Sequence, residues 1–196
     1  RKNLLTSVCP VILFLITACA SQASTPIVSP DDIEKEEQAV YASFFKNISG
    51  TVVILQDTST QWLPSSSEDL KQRMDYIASG LPNASKETLD NYFERNRRQP
   101  SQLSPDMQLG INYILLSEDE FSTIMNQPNG WEAFYGKYSP SVYMQFSRVG
   151  FNETLDEAIV YVGSVPGPMM GSGNYYLLEK KDGQWVIKEQ VLAWVS

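Results

Sequence analysis

The end of the chain restricts the fold most. "NYYLLEKKDGQWVIKEQVLAWVS", residues 174–196, sets two apolar and aromatic runs on either side of Asp182-Gly183. A tight turn of this kind joins antiparallel strands, because its backbone twist matches theirs. Upstream, Val142, Met144 and Phe146 alternate with Tyr143, Gln145 and Ser147, and "EAIVYVG" at 157–163 adds a further run. An antiparallel meander of about four strands is therefore expected to close the chain. Two registers compete for its hairpin. A two-residue turn sets Leu177 against Lys188 and Glu179 against Val186. A three-residue loop, Lys181-Asp182-Gly183, instead pairs Leu177 with Ile187, Leu178 with Val186 and Glu179 with Trp185, and apolar matching favours that choice. Both faces of these strands carry large apolar groups, so both should be at least partly covered.

Helices come first. Ser29-Pro30-Asp31-Asp32 places a hydroxyl at an N-cap, proline at the first helical position and carboxylates in the first turn. Ile33, Val40, Tyr41 and Phe44 then share one face of a helix of about four turns. Thr51–Leu55 is β-branched and reads as a strand. Ser65-x-x-Glu68 forms a capping box before a helix with Leu70, Met74 and Ile77 inward, closed by Gly80-Leu81-Pro82. Ser85 opens another, with Leu89, Tyr92 and Phe93 inward; Arg95, Arg97 and Arg98 at its end read as a solvated cluster complementing the helix dipole, with binding of an acidic group as the weaker alternative. "LGINYILL" at 109–116 is strand-like, Ser117-x-x-Glu120 caps a short helix to Met125, and Trp131–Tyr138 suggests one more. The expectation is an α+β domain, N-terminal helices packed on a C-terminal antiparallel β-meander of about four strands. Its element order resembles the cone-shaped folds of the nuclear-transport-factor and cystatin types.

The N-terminus supplies an address. Arg1-Lys2 precedes an apolar run from Leu4 to Ala18, interrupted by Pro10. That length fits an export signal better than the roughly 20 residues of a membrane-crossing helix, and the proline would leave a carbonyl unsatisfied in hydrocarbon. Ile16-Thr17-Ala18-Cys19 resembles the lipobox of bacterial lipoproteins. The resemblance implies cleavage before Cys19 and acylation of its thiol by fatty chains such as palmitate. Residues 1–18 would then be a signal peptide, 19–29 the lipidated cysteine and a flexible tether, and 30–196 one globular domain. Ordinary cleavage after Ala18-Cys19-Ala20 is the competing reading. Each buried methylene contributes about 0.8 kcal/mol, and stable anchoring requires more than one chain, which an acylated cysteine provides. The implied location is the bacterial cell envelope, at the outer membrane or the outer face of the cytoplasmic membrane. The other cysteine, Cys9, falls inside the signal, so the exported domain is expected to carry neither disulfide nor thiol chemistry.

Charge and composition narrow the functions. The formal net charge is −8, so phosphate backbones are repelled and nucleic acid is an unsuitable partner. The chain has no histidine, which removes imidazole metal sites and Ser-His or Cys-His nucleophile activation. Neither a G-x-S-x-G elbow, nor S-x-x-K, nor a phosphate-loop pattern occurs. Neither metal, cofactor nor enzymatic activity is expected. Carboxylate pairs such as Asp31/Asp32, Asp69/Asp75 and Asp156/Glu157 leave a carboxylate-dependent hydrolase as the least favoured option.

"FSRVGFNETLDEAIVYVG" followed by "GSGNYYLLEKKDGQWVIKEQVLAWVS" is similar to a group of exported bacterial proteins with no established activity, over roughly the last quarter of the chain. That resemblance implies a shared sheet and no chemistry. Between these stretches lies a Pro- and Gly-rich turn, 165–173, lacking the cysteines that many members of the group carry there. Its Met169, Met170, Gly171 and Gly173 form a candidate contact surface, with a long hairpin connection as the plainer alternative. Arg148 interrupts an apolar strand and is the remaining candidate. Its guanidinium is expected to pair with Asp156 or Glu157, or else to clamp a ligand carboxylate. The leading functional expectation is a membrane-anchored, non-enzymatic domain that binds a protein or assists an envelope assembly. Next comes a small-ligand-binding lipoprotein, with a pocket lined by aromatics such as Trp62, Tyr92, Trp131 and Tyr143.

Overall fold

The computed structural model describes residues 28–59, 67–97, 100–167 and 169–196. Residues 1–18, expected to be a signal peptide, and Cys19 lie outside them, as do Trp62, Ser65, Arg98 and Pro168. Ser29 caps α1 (Pro30–Ser43) through a reciprocal capping box with Asp32. There follow β1 (Thr51–Leu55), α2 (Ser67–Gly80), α3 (Lys86–Asn96), β2 (Asn112–Leu116), α4 (Glu118–Met125) and α5 (Gly130–Tyr138). The chain ends in β3 (Val142–Phe146), β4 (Gly150–Phe151), β5 (Glu157–Val165), β6 (Ser172–Lys181) and β7 (Gln184–Val195). The fold is α+β, with helices mostly before strands.

The sheet is larger than a terminal meander, and mixed. Its strand order is β2-β1-β3-β5-β6-β7, with β4 continuing beside β5. β1 lies parallel to both β2 and β3, whereas β3, β5, β6 and β7 run antiparallel. Parallel pairing needs a long crossover, and α2 with α3, then α4 with α5, provide the chain length. β1 accordingly shows the unbroken burial of a strand covered on both sides. Val52 and Ile54 pack with α1, while Val53 and Leu55 pack with α4 and α5. Tyr92 and Phe93 of α3 and Ile77 of α2 cover the second face further along, over Ile159, Tyr161, Tyr175 and Leu177. Three layers result, with one sheet between helices.

The β6–β7 hairpin takes the two-residue register. Lys181 opposes Gln184, Lys180 opposes Trp185 and Glu179 opposes Val186. Asp182 (φ 50°) and Gly183 (φ 77°) both adopt positive φ, the conformation whose twist suits a tight hairpin. Apolar matching is recovered beyond the turn instead. Leu178 opposes Ile187 in that same register, and a bulge between Leu177 and Leu178 then sets Leu177 opposite Glu189. Trp185 turns onto α1, where its indole N–H donates to Glu36 Oε2 at 2.8 Å and Lys180 pairs with Glu36 Oε1 at 2.5 Å. That anchoring of α1 outweighs the alternative apolar pairing.

Candidate functional site

Glu37 sits on the apolar face of α1, one turn after Ile33 and one before Val40 and Tyr41, and is 5% exposed. A carboxylate removed from water needs cations and donors. Arg148 gives it Nε at 2.9 Å from Oε1 and Nη2 at 2.7 Å from Oε2, a two-pronged contact. Arg95, from the last turn of α3, adds Nη2 at 3.2 Å from Oε2 and 3.3 Å from Oε1. The Val149 N–H donates to Oε1 at 2.8 Å. Two guanidinia and an amide thus converge on one carboxylate.

The backbone around Arg148 explains this convergence. Ser147–Val149 interrupts the run from β3 to β4, and side chains satisfy its polar groups. Asn96 accepts from Arg148 N at 2.8 Å and donates to Arg148 O at 2.8 Å. Tyr41 Oη donates to Ser147 O at 2.9 Å, and Ser147 Oγ accepts from Tyr161 N at 2.8 Å. Behind the interruption, α3 touches β4 directly: a Cβ on Gly150 would lie 2.3 Å from Tyr92 Cα. α1, α3 and the β3–β4 link are therefore locked together by polar contacts at one point.

That point forms a wall of a cleft of about 900 Å³. Ile33, Leu103, Met107, Phe151 and Leu155 supply its apolar surface, and Glu34, Glu87 and Glu153 contribute exposed carboxylates. The Arg95 guanidinium lies 5.9 Å from the Phe151 ring centroid, within cation–π range. Burial pushes the Arg95 pKa down, and the Glu37 charge only partly restores it against the neighbouring Arg148. Burial opposes the Arg148 charge too, but the hydrogen bonds and charge of Glu37 outweigh it and leave its pKa raised. Burial, with Glu37 adding to it, holds the Tyr41 phenol well above its ordinary pKa, so it stays a neutral donor. The assembly suits recognition by charge-assisted hydrogen bonds. Among the described residues no group of three or more acids or cysteines could hold a metal ion.

The candidates read from the sequence are distributed unequally around this site. Arg148 borders the cleft, but its partner is Glu37. Asp156 instead accepts from the Asn152 side chain, and Glu157 caps the start of α3 through Ser85 N at 2.8 Å and Thr88 Oγ1 at 2.7 Å. Arg95, expected on a solvated face, turns inward; Arg97 pairs with Glu94 at the surface. Met169 and Met170 are exposed at 87% and 64% and do not line the cleft. Gly171 and Gly173 lie beneath Trp194, where a Cβ would come within 2.9 Å and 2.1 Å of its indole. Their lack of a side chain makes room for the ring, whose N–H donates to Tyr161 Oη at 2.7 Å. Of the four aromatics proposed for a pocket, Tyr92, Trp131 and Tyr143 are packed into cores elsewhere, and Trp62 lies outside the described residues.

Glu37 and Asn96 have no role in the sequence reading, and Arg95 enters it only within the cluster at the end of its helix. Helical spacing contained the signal: Glu37 shares a face with Val40 and Tyr41, and Asn96 follows Tyr92 by one turn. Polar residues at inward positions were the clue. No protein-family model, curated protein or solved structure matches the chain.

Proposed function

We propose that the chain is a lipid-anchored lipoprotein of the bacterial cell envelope whose domain binds a small ligand in the cleft between α1, α3 and β4. The observation carrying this reading is the cleft itself, with an apolar lining and a polar wall in which two arginines share Glu37. Binding pockets combine apolar surface with a few fixed polar groups, and here hydrogen bonds from three elements fix them. Among the described residues no helix is long and apolar enough to cross a membrane; the support for attachment at Cys19 is the lipobox-like Ile16-Thr17-Ala18-Cys19. The Cys19→Ser chain is expected to leave the membrane fraction. Native mass spectrometry of the chain extracted from membranes should show a small-molecule adduct that disappears in Ile33→Trp, whose indole fills the cleft. An adduct that survives Ile33→Trp, or a chain that never carries one, removes the ligand-binding reading.

Protein binding is the second reading, and exposed apolar surface favours it. Val186, Ile187, Leu192 and Val195 of the edge strand β7 are 40% to 69% exposed, and Met169 and Met170 add to that surface. Edge strands and methionines both serve as adaptable contact surfaces.

A further inference from the structure

Two arginines line the cleft beside its apolar surface, and neither spends all its donors on Glu37. Arg148 spends Nε and Nη2 on Glu37, while Arg95 engages it through Nη2 alone. Among the described residues Nε and Nη1 of Arg95 have no protein acceptor, nor has Nη1 of Arg148. None of these nitrogens is sealed from the surface; the only fully buried side-chain polar atoms without partners among the described residues are Ser59 Oγ and Tyr175 Oη. The Arg95 side chain is 17% exposed and that of Arg148 30%, and both line the cleft. At this point two guanidinia share one buried carboxylate, and the exposed Glu34 also acts on Arg148. Guanidinium nitrogens left over beside an apolar surface are donors that an anionic head can take up by charge-assisted hydrogen bonds.

The surroundings define the rest of that anion. Beyond the arginines the cleft has an apolar strip, with Phe151, Leu103 and Met107 buried and Ile33 and Leu155 half-buried along it. A small hydrated anion would leave this surface uncovered. Glu34, Glu87 and Glu153 also line the cleft and repel further negative charge, so a dianion suits the site less well than a monoanion. Val28 borders the cleft as well. Eight residues lie between it and Cys19, and the nine steps along the chain span at most about 32 Å. With Cys19 in a bilayer, the cleft lies within reach of membrane-borne amphiphiles.

We infer that the cleft binds a monoanionic amphiphile, its carboxylate or phosphodiester head on the free nitrogens of Arg95 and Arg148 and its apolar body along Phe151, Leu103 and Met107. The inference rests on the ligand-binding reading above and specifies its ligand. Glu37 acts as a positioning residue that holds both guanidinia in place, not as a contact of the ligand.

The test uses the full chain in phosphatidylcholine nanodiscs, titrated calorimetrically with empty discs subtracted. The probes are 4-phenylbutyrate, methyl 4-phenylbutyl phosphate, neutral 4-phenylbutanamide and the 4-phenylbutyl phosphate dianion. At least one monoanion is expected to bind about tenfold or more tightly than the amide and than the dianion; which of the two does so distinguishes a carboxylate from a phosphodiester ligand. Arg95→Gln, which leaves the Arg148–Glu37 contact in place, should weaken that monoanion about 10- to 100-fold and leave the amide unchanged. Amide binding as tight as both monoanions overturns the inference while sparing the cleft as a binding site. So does tighter binding of the dianion, or monoanion affinity unmoved by Arg95→Gln. Absence of binding by every probe overturns the inference, while an adduct lost in Ile33→Trp would still uphold the broader reading. The comparison of probes on the unaltered chain stands even should Arg95→Gln fail to fold.

Discussion

Glu37 shows how one buried carboxylate organises three elements at once. Removing its charge leaves two partly buried guanidinia without a counterion, and breaking such a pair typically costs about 3–5 kcal/mol. Glu37→Gln keeps an acceptor for the Val149 N–H, so the loss would report the charge and not the backbone bond. Chemical denaturation should show a loss of that size; a change under about 1 kcal/mol would mean that solvent already screens the cluster. Gly150 makes a complementary case. A Cβ there meets backbone atoms of Tyr92, which cannot swing aside. Gly150→Ala should therefore cost about 1–3 kcal/mol or more through overpacking and push α3 from β4. Loss of amide-exchange protection at Arg148, whose N–H depends on Asn96, is the local signature. Neither residue advertises its role by type. A glutamate in an acidic helix and a glycine after an arginine become informative only through what lies across from them.

Turns and caps were the most legible elements because their chemistry is local. Ser29, Ser85 and Ser117 all cap helices as the spacing predicts, each accepting from an N–H in the first turn. Ser29→Ala should destabilise α1 by about 1 kcal/mol and loosen the helix that carries Glu37. The hairpin was read at the right place with the wrong register. Cross-strand apolar pairing was weighed on the two strands alone, whereas Trp185 finds its partner Glu36 on a helix more than a hundred residues away in sequence. Positive φ at both turn positions now gives a discriminating test. Gly183→Ala should cost about 1 kcal/mol, since an L-residue at that φ is strained. No measurable cost in thermal unfolding would contradict the two-residue turn.

Across the whole molecule, tyrosine burial sets the alkaline limit. Burial raises the pKa of Tyr41, Tyr92, Tyr143 and Tyr175 above the ordinary value of 10.0. The folded chain thus holds these protons where the unfolded chain releases them. Their contribution to stability is complete below about pH 10 and falls as pH rises beyond it. Absorbance at 295 nm followed alongside circular dichroism should show these phenols ionising only as the fold is lost. Titration of all the tyrosines near pH 10 with the fold intact would contradict their burial.

Periodicity, capping residues and turn chemistry made the α+β class, the place of most described elements and the terminal antiparallel strands readable from the chain, because each depends on neighbours a few residues away. Missing histidine and cysteine narrowed the chemistry of the domain for the same reason: composition requires no fold. The parallel insertion of β1, the inward turn of Arg95 and the cleft around Glu37 were decided by tertiary structure. Each joins residues tens to more than a hundred positions apart, and a charge in a helix states its partner only once packing has removed it from water.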